Sequence, residues 1–81
     1  MDEPIDMQQT GNKIKEYMEL SNITIRDIAN MTNISYQAVW KYTRGQSLPT
    51  IQHLLTISKL FGCTVEDLIV TQPWASTNKQ N

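Results

Sequence analysis

The sequence predicts an all-α protein built from five short helices. Apolar residues recur at helical spacing, and a Ser or Thr residue precedes four of the apolar stretches at the position of a helix N-cap. No stretch alternates apolar and polar residues over the length of a strand. The 81 residues, 40% of them hydrophobic, are enough for one small domain with its own core.

The first helix is predicted over residues 10–20. Three side chains of this segment fall on one helical face: Ile14, Tyr17 and Met18. Ser21 and Asn22 interrupt the apolar pattern, so the helix is expected to end there.

The second helix is predicted over residues 25–31. Thr24 stands directly before it as an N-cap, and Asp27 follows three residues later, which is a short form of the capping box. Asn33 is the predicted turn residue after this helix, because Asn adopts positive φ more readily than other residues with a side chain.

The third helix is predicted to begin after Ser35, which caps it, and to stop at Gly45, which can adopt the left-handed conformation. Helical spacing turns three of its side chains inward: Ala38, Val39 and Tyr42. The same geometry turns four others outward: Tyr36, Gln37, Trp40 and Lys41.

The fourth helix is predicted over residues 51–61, between the cap Thr50 and the stop Gly62. Five apolar residues are expected to be buried along it: Leu54, Leu55, Ile57, Leu60 and Phe61. Thr64 and Asp67 repeat the capping pattern before a short fifth helix over residues 65–70.

The chain therefore divides into a flexible acidic N-terminal tail, one helical domain and a polar C-terminal tail: residues 1–9, 10–70 and 71–81. Within the domain, residues 25–42 read as two short helices joined by three residues. Ala29 is small where the helices must cross, and Asn33 lies at the turn. This pattern is typical of a helix-turn-helix, in which the second helix projects from the body of the domain.

Over residues 12–69 the sequence resembles the XRE-type DNA-binding domain, the family of phage repressors and Cro-like regulators. The resemblance implies a compact lambda-repressor-like fold of five helices and a sequence-specific repressor that reads the major groove of double-stranded DNA with its third helix. The matching residues are Thr24, Asp27, Ile28, Ala29, Asn33, Ile34, Ser35, Val39, Tyr42, Arg44, Gly45, Pro49, Thr50, Leu54 and residues 60–68.

Three positions depart from the family pattern. Ile25 stands where the family commonly has a Gln that braces the DNA backbone. Thr43 replaces a Glu that often precedes the Arg–Gly pair. At the matching turn position, Asn33 stands in place of the usual glycine, which is a physically mild exchange. The first departure concerns the phosphate anchor rather than the fold.

Four outward residues of the third helix are the candidate base contacts: Tyr36, Gln37, Trp40 and Lys41. Gln37 can bind the N6/N7 edge of adenine, and Lys41 can reach a guanine edge or a phosphate. The two aromatic rings can contact thymine methyls and sugars. The candidate phosphate contacts surround this helix, together with the amide ends of the second and fourth helices: Arg26, Ser35, Arg44, Gln46, Ser47 and Thr50.

The net charge of −1 conceals an uneven distribution of charge. Residues 28–65 contain no acid, whereas Lys41, Arg44 and Lys59 fall in that range. We therefore expect modest electrostatic affinity per monomer and a dependence on base readout or dimerisation. A homodimer is expected, formed either in solution or only on DNA, and it would use three residues of the fifth helix and one of the tail: Leu68, Ile69, Val70 and Trp74.

Other functional classes find little support in the sequence. It contains no paired-carboxylate site, Gly-rich phosphate loop or metal-ligand cluster, so we predict no enzyme, cofactor, metal or small-molecule substrate. Cys63 cannot form an intramolecular disulfide and is expected to be a buried thiol. With no signal peptide and no membrane span, the expected location is the bacterial cytoplasm. The protein is expected to be encoded by a bacterium or a phage.

Two alternatives remain open from the sequence. The chain can be an antitoxin-type or mobile-element regulator, in which the tails bind a partner protein. It can also be a protein–protein interaction module on the same fold, with Tyr36 and Trp40 as the binding face.

Overall fold

The computed structural model describes residues 4–72 and contains five α-helices in this range. Their bounds are α1 Met7–Ser21, α2 Ile25–Met31, α3 Tyr36–Thr43, α4 Ile51–Phe61 and α5 Val65–Leu68. Residues 4–72 form no strand beyond one isolated antiparallel bridge between Ile5 and Thr71. The all-α prediction is confirmed, and none of these helices has the length and apolar content needed to cross a bilayer.

The core forms where the five helices meet. Eight apolar side chains are buried there: Ile14, Ile28, Ile34, Val39, Tyr42, Leu54, Ile57 and Leu68. Tyr17 of α1 stacks on Phe61 of α4 with ring centroids 5.5 Å apart. The prediction that Leu55 is buried is wrong, since its side chain is 46% exposed. Leu54, Ile57 and Ser58 form the inward face of α4, and Leu55 lies about 100° around the helix from Leu54.

The four predicted N-caps are confirmed by hydrogen bonds. Each hydroxyl accepts from the backbone N–H three residues later: Thr24, Ser35, Thr50 and Thr64. Asp27 and Asp67 complete capping boxes by accepting from the backbone N–H of Thr24 and Thr64 at 3.0 Å and 2.9 Å. Gly45 and Gly62 both have positive φ, as predicted.

The first helix begins at Met7, so the predicted start at Thr10 is wrong by a turn. Asp6 caps it, with Oδ1 accepting from Gln9 N at 2.9 Å. The fifth helix ends at Leu68 rather than Val70, because the chain turns extended at Ile69.

The extended segment that follows α5 pairs with the residues that precede α1. Asp6 N donates to Val70 O at 2.7 Å, and Gln72 N donates to Pro4 O at 2.8 Å. Thr10, fully buried, accepts from Val70 N at 3.0 Å through its hydroxyl oxygen. Pro4 and Asp6, which the sequence assigned to a tail, are thereby hydrogen-bonded to the segment that follows α5.

The turn between α2 and α3 is formed differently from the prediction. Asn22, and not Asn33, is the non-glycine residue with positive φ among residues 4–72. Thr32 organises the turn instead: its hydroxyl donates to Ile28 O at 2.7 Å and accepts from Ile34 N at 3.0 Å. A side chain that bridges both sides of the turn makes a left-handed residue unnecessary there.

Candidate nucleic-acid interface

Helix α3 is held against the domain along its whole inner side. Val39 is fully buried, and Tyr42 and Thr43 are nearly so. Tyr42 reaches α4, where its hydroxyl lies 2.7 Å from Nδ1 of His53, and burial raises the pKa of this phenol. These contacts give the helix a defined orientation, which a reading helix requires.

The opposite side of α3 carries the predicted base contacts. Gln37 and Lys41 are exposed, and Tyr36 is 49% exposed. Trp40 is half-buried, so it is less exposed than the other three side chains of this face. Ser35, Tyr36, Gln37 and Trp40 line one open depression on this side.

Two arginines lie against the two aromatic rings of this surface. The guanidinium carbon of Arg44 is 4.9 Å from the ring centroid of Trp40, and that of Arg26 is 6.0 Å from the centroid of Tyr36. Neither contact was predicted from the sequence. Trp40 and Arg44 are one helical turn apart, and this spacing could have predicted their contact. The contact of Arg26 with Tyr36 joins α2 to α3 and depends on the tertiary structure.

Three predicted phosphate contacts carry hydroxyl groups, and two of these hydroxyls also cap helices. Ser35 Oγ accepts from Ala38 N, and Thr50 Oγ1 accepts from His53 N, both at 3.1 Å. Each hydroxyl keeps its own proton, so each can still donate to a phosphate oxygen. Ser47 is half-buried, whereas the adjacent Gln46 is exposed beside the end of α3.

The departures from the family pattern have structural consequences. Ile25 is half-buried and packs against the core, so it does not brace a polar contact as a Gln would. Thr43 is buried and donates to Trp40 O at 2.8 Å. The hydroxyl of Thr43 is thus used within the last turn of α3.

Other chemical groups offer little for catalysis within residues 4–72. No cluster of His, Cys, Asp and Glu can hold a metal there. Cys63 is half-buried rather than fully buried as expected; burial, and then the charge of Asp67, raises the pKa of its thiol. A thiol with a raised pKa is a poor nucleophile.

Two helices joined by a short turn, with the second braced by the core and exposed on its outer side, define a helix-turn-helix protein. Residues 13–73 match the model of the Cro/C1-type HTH DNA-binding domain. The chain belongs to this family of DNA-binding transcription regulators and is not an enzyme.

The similar proteins agree with this membership. An uncharacterised HTH-type transcriptional regulator of Methanocaldococcus jannaschii is 32% identical over 59 residues, which cover 73% of this chain and 89% of that protein. The restriction-modification controller protein C.AhdI from Aeromonas hydrophila superposes with a TM-score of 0.73 at 16% identity, covering 78% of this chain and 96% of that one.

The clp gene regulator ClgR from Corynebacterium glutamicum also superposes with a TM-score of 0.73, at 19% identity, covering 83% of this chain and 71% of that one. At these identities the two structural matches show a shared fold.

Proposed function

We propose that this protein is a sequence-specific repressor that places α3 in the DNA major groove. The observation that supports this most directly is the pairing of a buried inner side of α3 with an exposed outer side that carries Gln37 and Lys41. An α-helix fits the width of the major groove, and a braced one presents the same side chains to every duplex.

Gln37 and Lys41 are the proposed base readers. They lie one turn apart on the same exposed face, so they can reach neighbouring base pairs. A Gln amide matches the donor and acceptor of adenine, and a Lys ammonium matches the acceptors of guanine. Tyr36 and Trp40 lie alongside them as the aromatic wall of the same surface.

The proposed phosphate contacts come before and after this reading face along the chain. Arg26 belongs to α2, and the others follow along the ends of α3 and the loop to α4: Ser35, Arg44, Gln46, Ser47 and Thr50. The backbone amides of the first turns of α2 and α4 add uncharged donors. The proposed surface therefore has more hydrogen-bond donors than positive charges.

We also propose that the protein acts as a homodimer that forms on DNA, in the cytoplasm. Two copies on half-sites about 34 Å apart would double the contacts of a weakly charged monomer. Leu68 is fully buried inside its own domain, so it cannot form the dimer contact that the sequence predicted for it. Ile69 and Val70 are half-buried and remain part of the proposed dimer contact. Trp74 lies outside the described residues.

In vitro selection of bound duplexes from a random pool tests the proposal. The expected result is a two-fold-symmetric consensus of two half-sites. A folded Gln37→Ala, Lys41→Ala variant should lose most of its preference for that consensus, because each well-placed base contact contributes about 1–3 kcal/mol of discrimination. Lys15→Ala, which removes one exposed charge from α1, is the matched control.

Two outcomes would contradict the proposal. Wild-type binding of no duplex even at low salt would favour the interaction module, for which the exposed Tyr36 ring is the supporting observation. Consensus binding by the double variant that equals the wild type would remove α3 as the reading helix. Co-purification of a small partner from the native host would favour the antitoxin-type alternative.

A further inference from the structure

The aromatic side chains of α3 have a feature that base contact does not require. Tyr36 and Trp40, one turn apart, each lie within cation–π distance of a different arginine. Arg26 comes from α2, and Arg44 follows the C-terminal end of α3. Tyr36 and Trp40 therefore form one row along the outer side of α3, and each ring of this row contacts one arginine.

The contact between Trp40 and Arg44 is fixed by the backbone as well as by the ring. Arg44 N donates to Trp40 O at 3.1 Å, and Thr43 Oγ1 donates to the same oxygen at 2.8 Å. The ring itself is half-buried, which limits its motion. Arg44 is exposed, so the ring is the partner that selects one orientation of a long and otherwise free side chain.

An aromatic partner orients an arginine without neutralising its charge. Within residues 4–72 the one ion pair joins Lys13 to Glu16, and neither Arg26 nor Arg44 is paired with a carboxylate there. A guanidinium over the face of a ring has five N–H donors, and those that do not point at the ring stay available for hydrogen bonds. Both arginines therefore keep full charge and free donors for an anionic partner.

We propose that Trp40 and Tyr36 are positioning residues, which hold Arg44 and Arg26 ready for DNA phosphates and leave base readout to Gln37 and Lys41. This inference rests on the proposed function. It divides the outer side of α3 into two parallel rows, each spaced by one turn. One row reads bases directly, and the other acts through its arginines.

A double-mutant cycle tests this assignment for Trp40 and Arg44. The four proteins are the wild type, Trp40→Leu, Arg44→Gln and the double variant, and each is titrated with its selected duplex over a range of salt concentrations. Arg44→Gln should make the salt dependence of the binding constant shallower by about 0.9 in slope, the contribution of one phosphate. Trp40→Leu should weaken binding by about two- to fivefold, as expected for loss of an exposed cation–π contact.

The discriminating result is the behaviour of the double variant. If Trp40 acts through Arg44, the Trp40→Leu change has no further effect once Arg44 is Gln. The base preference found by selection should also be the same for Trp40→Leu and the wild type. Trp40→Phe, which restores an aromatic face, should recover most of the affinity lost in Trp40→Leu.

Because Trp40 is half-buried, its replacement can also disturb the fold. A second double-mutant cycle therefore tests the same idea at a more exposed contact. Tyr36→Leu with Arg26→Gln probes the other contact at a side chain that is 49% exposed, and circular dichroism checks the fold of every variant. Lys59→Gln, at the far end of α4, controls for the loss of one charge.

If the two single substitutions of each cycle weaken binding by factors that simply multiply in the double variant, the positioning role is overturned and the rings are assigned to direct readout. A changed base preference at one position in Trp40→Leu would have the same meaning. That outcome leaves the proposed function intact. Absence of any duplex binding by the wild type would overturn the proposed function and this inference together.

Discussion

Gly11 permits the close contact between α1 and α3. A Cβ at this position would collide with the carbonyl oxygen of Tyr42 and would lie 3.3 Å from Gly45 N. Both obstacles are backbone atoms, which cannot move unless α1 and the end of α3 separate. The contact therefore depends on the absence of a side chain.

We predict that Gly11→Ala destabilises the protein. Alanine improves helix propensity by about 1 kcal/mol, but forced overpacking costs about 1–3 kcal/mol, and rigid backbone neighbours place this site at the upper end. The net loss should lower the melting temperature by several degrees for a domain of this size, measured by circular dichroism.

Lys15→Ala is the matched control, since it gives the same α1 an alanine at an exposed position. Its melting temperature should equal or exceed that of the wild type. A Gly11→Ala protein that melts at a higher temperature than the wild type would show that the two helices separate at little cost.

At the scale of the helices, two capping boxes couple stability to pH. Asp27 and Asp67 accept hydrogen bonds from the backbone N–H of Thr24 and Thr64, and these bonds, with those to the cap hydroxyls, lower the pKa of both carboxyls. A carboxyl whose pKa is lower in the folded protein stabilises it above the unfolded pKa, which is about 3.9 for Asp. That stability is lost as the pH falls through the folded pKa.

We therefore predict that the urea midpoint falls as the pH is lowered from about 5 to about 2. In the Asp27→Asn, Asp67→Asn variant, which cannot titrate at these two positions, part of that fall should be absent. Glu19→Gln, at an exposed acid of α1, is the control and should retain the full decline. An equally steep decline in the double Asn variant would assign the acid sensitivity to other groups.

The helices show which features of the fold are local enough to predict. Caps such as Ser35 and Thr50, and the left-handed stops at Gly45 and Gly62, depend on neighbours within one turn, and the sequence predicted them correctly. The start of α1 was missed because Asp6 precedes a first turn without apolar periodicity.

The features that were missed depend mainly on residues far apart in the chain. The end of α5 depends on pairing across 60 residues with Thr10. The contact of Arg26 with Tyr36 depends on how α2 crosses α3. For the candidate site, the exposure of Gln37 and Lys41 followed from helical spacing alone, whereas the half-burial of Trp40 depends on packing.

At the scale of the whole molecule, the beginning of α1 is joined to the segment that follows α5. Thr10 is fully buried, and its hydroxyl accepts from Val70 N at 3.0 Å and lies 3.4 Å from Val70 O, to which it donates. Residues on either side continue this pairing through Asp6 and Gln72. One small side chain thus joins α1 to the segment that follows α5.

We predict that Thr10→Val, which keeps the shape of the side chain and removes its hydroxyl, destabilises the protein by about 1 kcal/mol or more, because the Val70 N–H loses its partner. Urea unfolding measures the loss, and hydrogen exchange of the Val70 amide should accelerate. Thr56→Val is the control, since that hydroxyl donates to Gln52 O within its own helix. Unchanged exchange at Val70 would show that the closure does not depend on Thr10.

The distribution of charge leads to a prediction about the whole DNA complex. The chain has a net charge of −1, and the proposed surface offers three cations: Arg26, Lys41 and Arg44. Each phosphate neutralised contributes about −0.9 to the slope of log K against log salt, so the slope should be no steeper than about −2.7 per bound monomer.

Binding of the selected duplex, measured by fluorescence anisotropy over a range of salt concentrations, checks this limit, with stoichiometry fixed by titration at high concentration. Lys59→Gln should leave the slope unchanged, because Lys59 lies at the end of α4 opposite to Thr50. A slope much steeper than about −2.7 per monomer would mean that lysines outside the proposed surface contact phosphates. A slope within the limit, together with a strong preference for one sequence, would mean that uncharged donors and base readout provide the affinity that so few charges cannot.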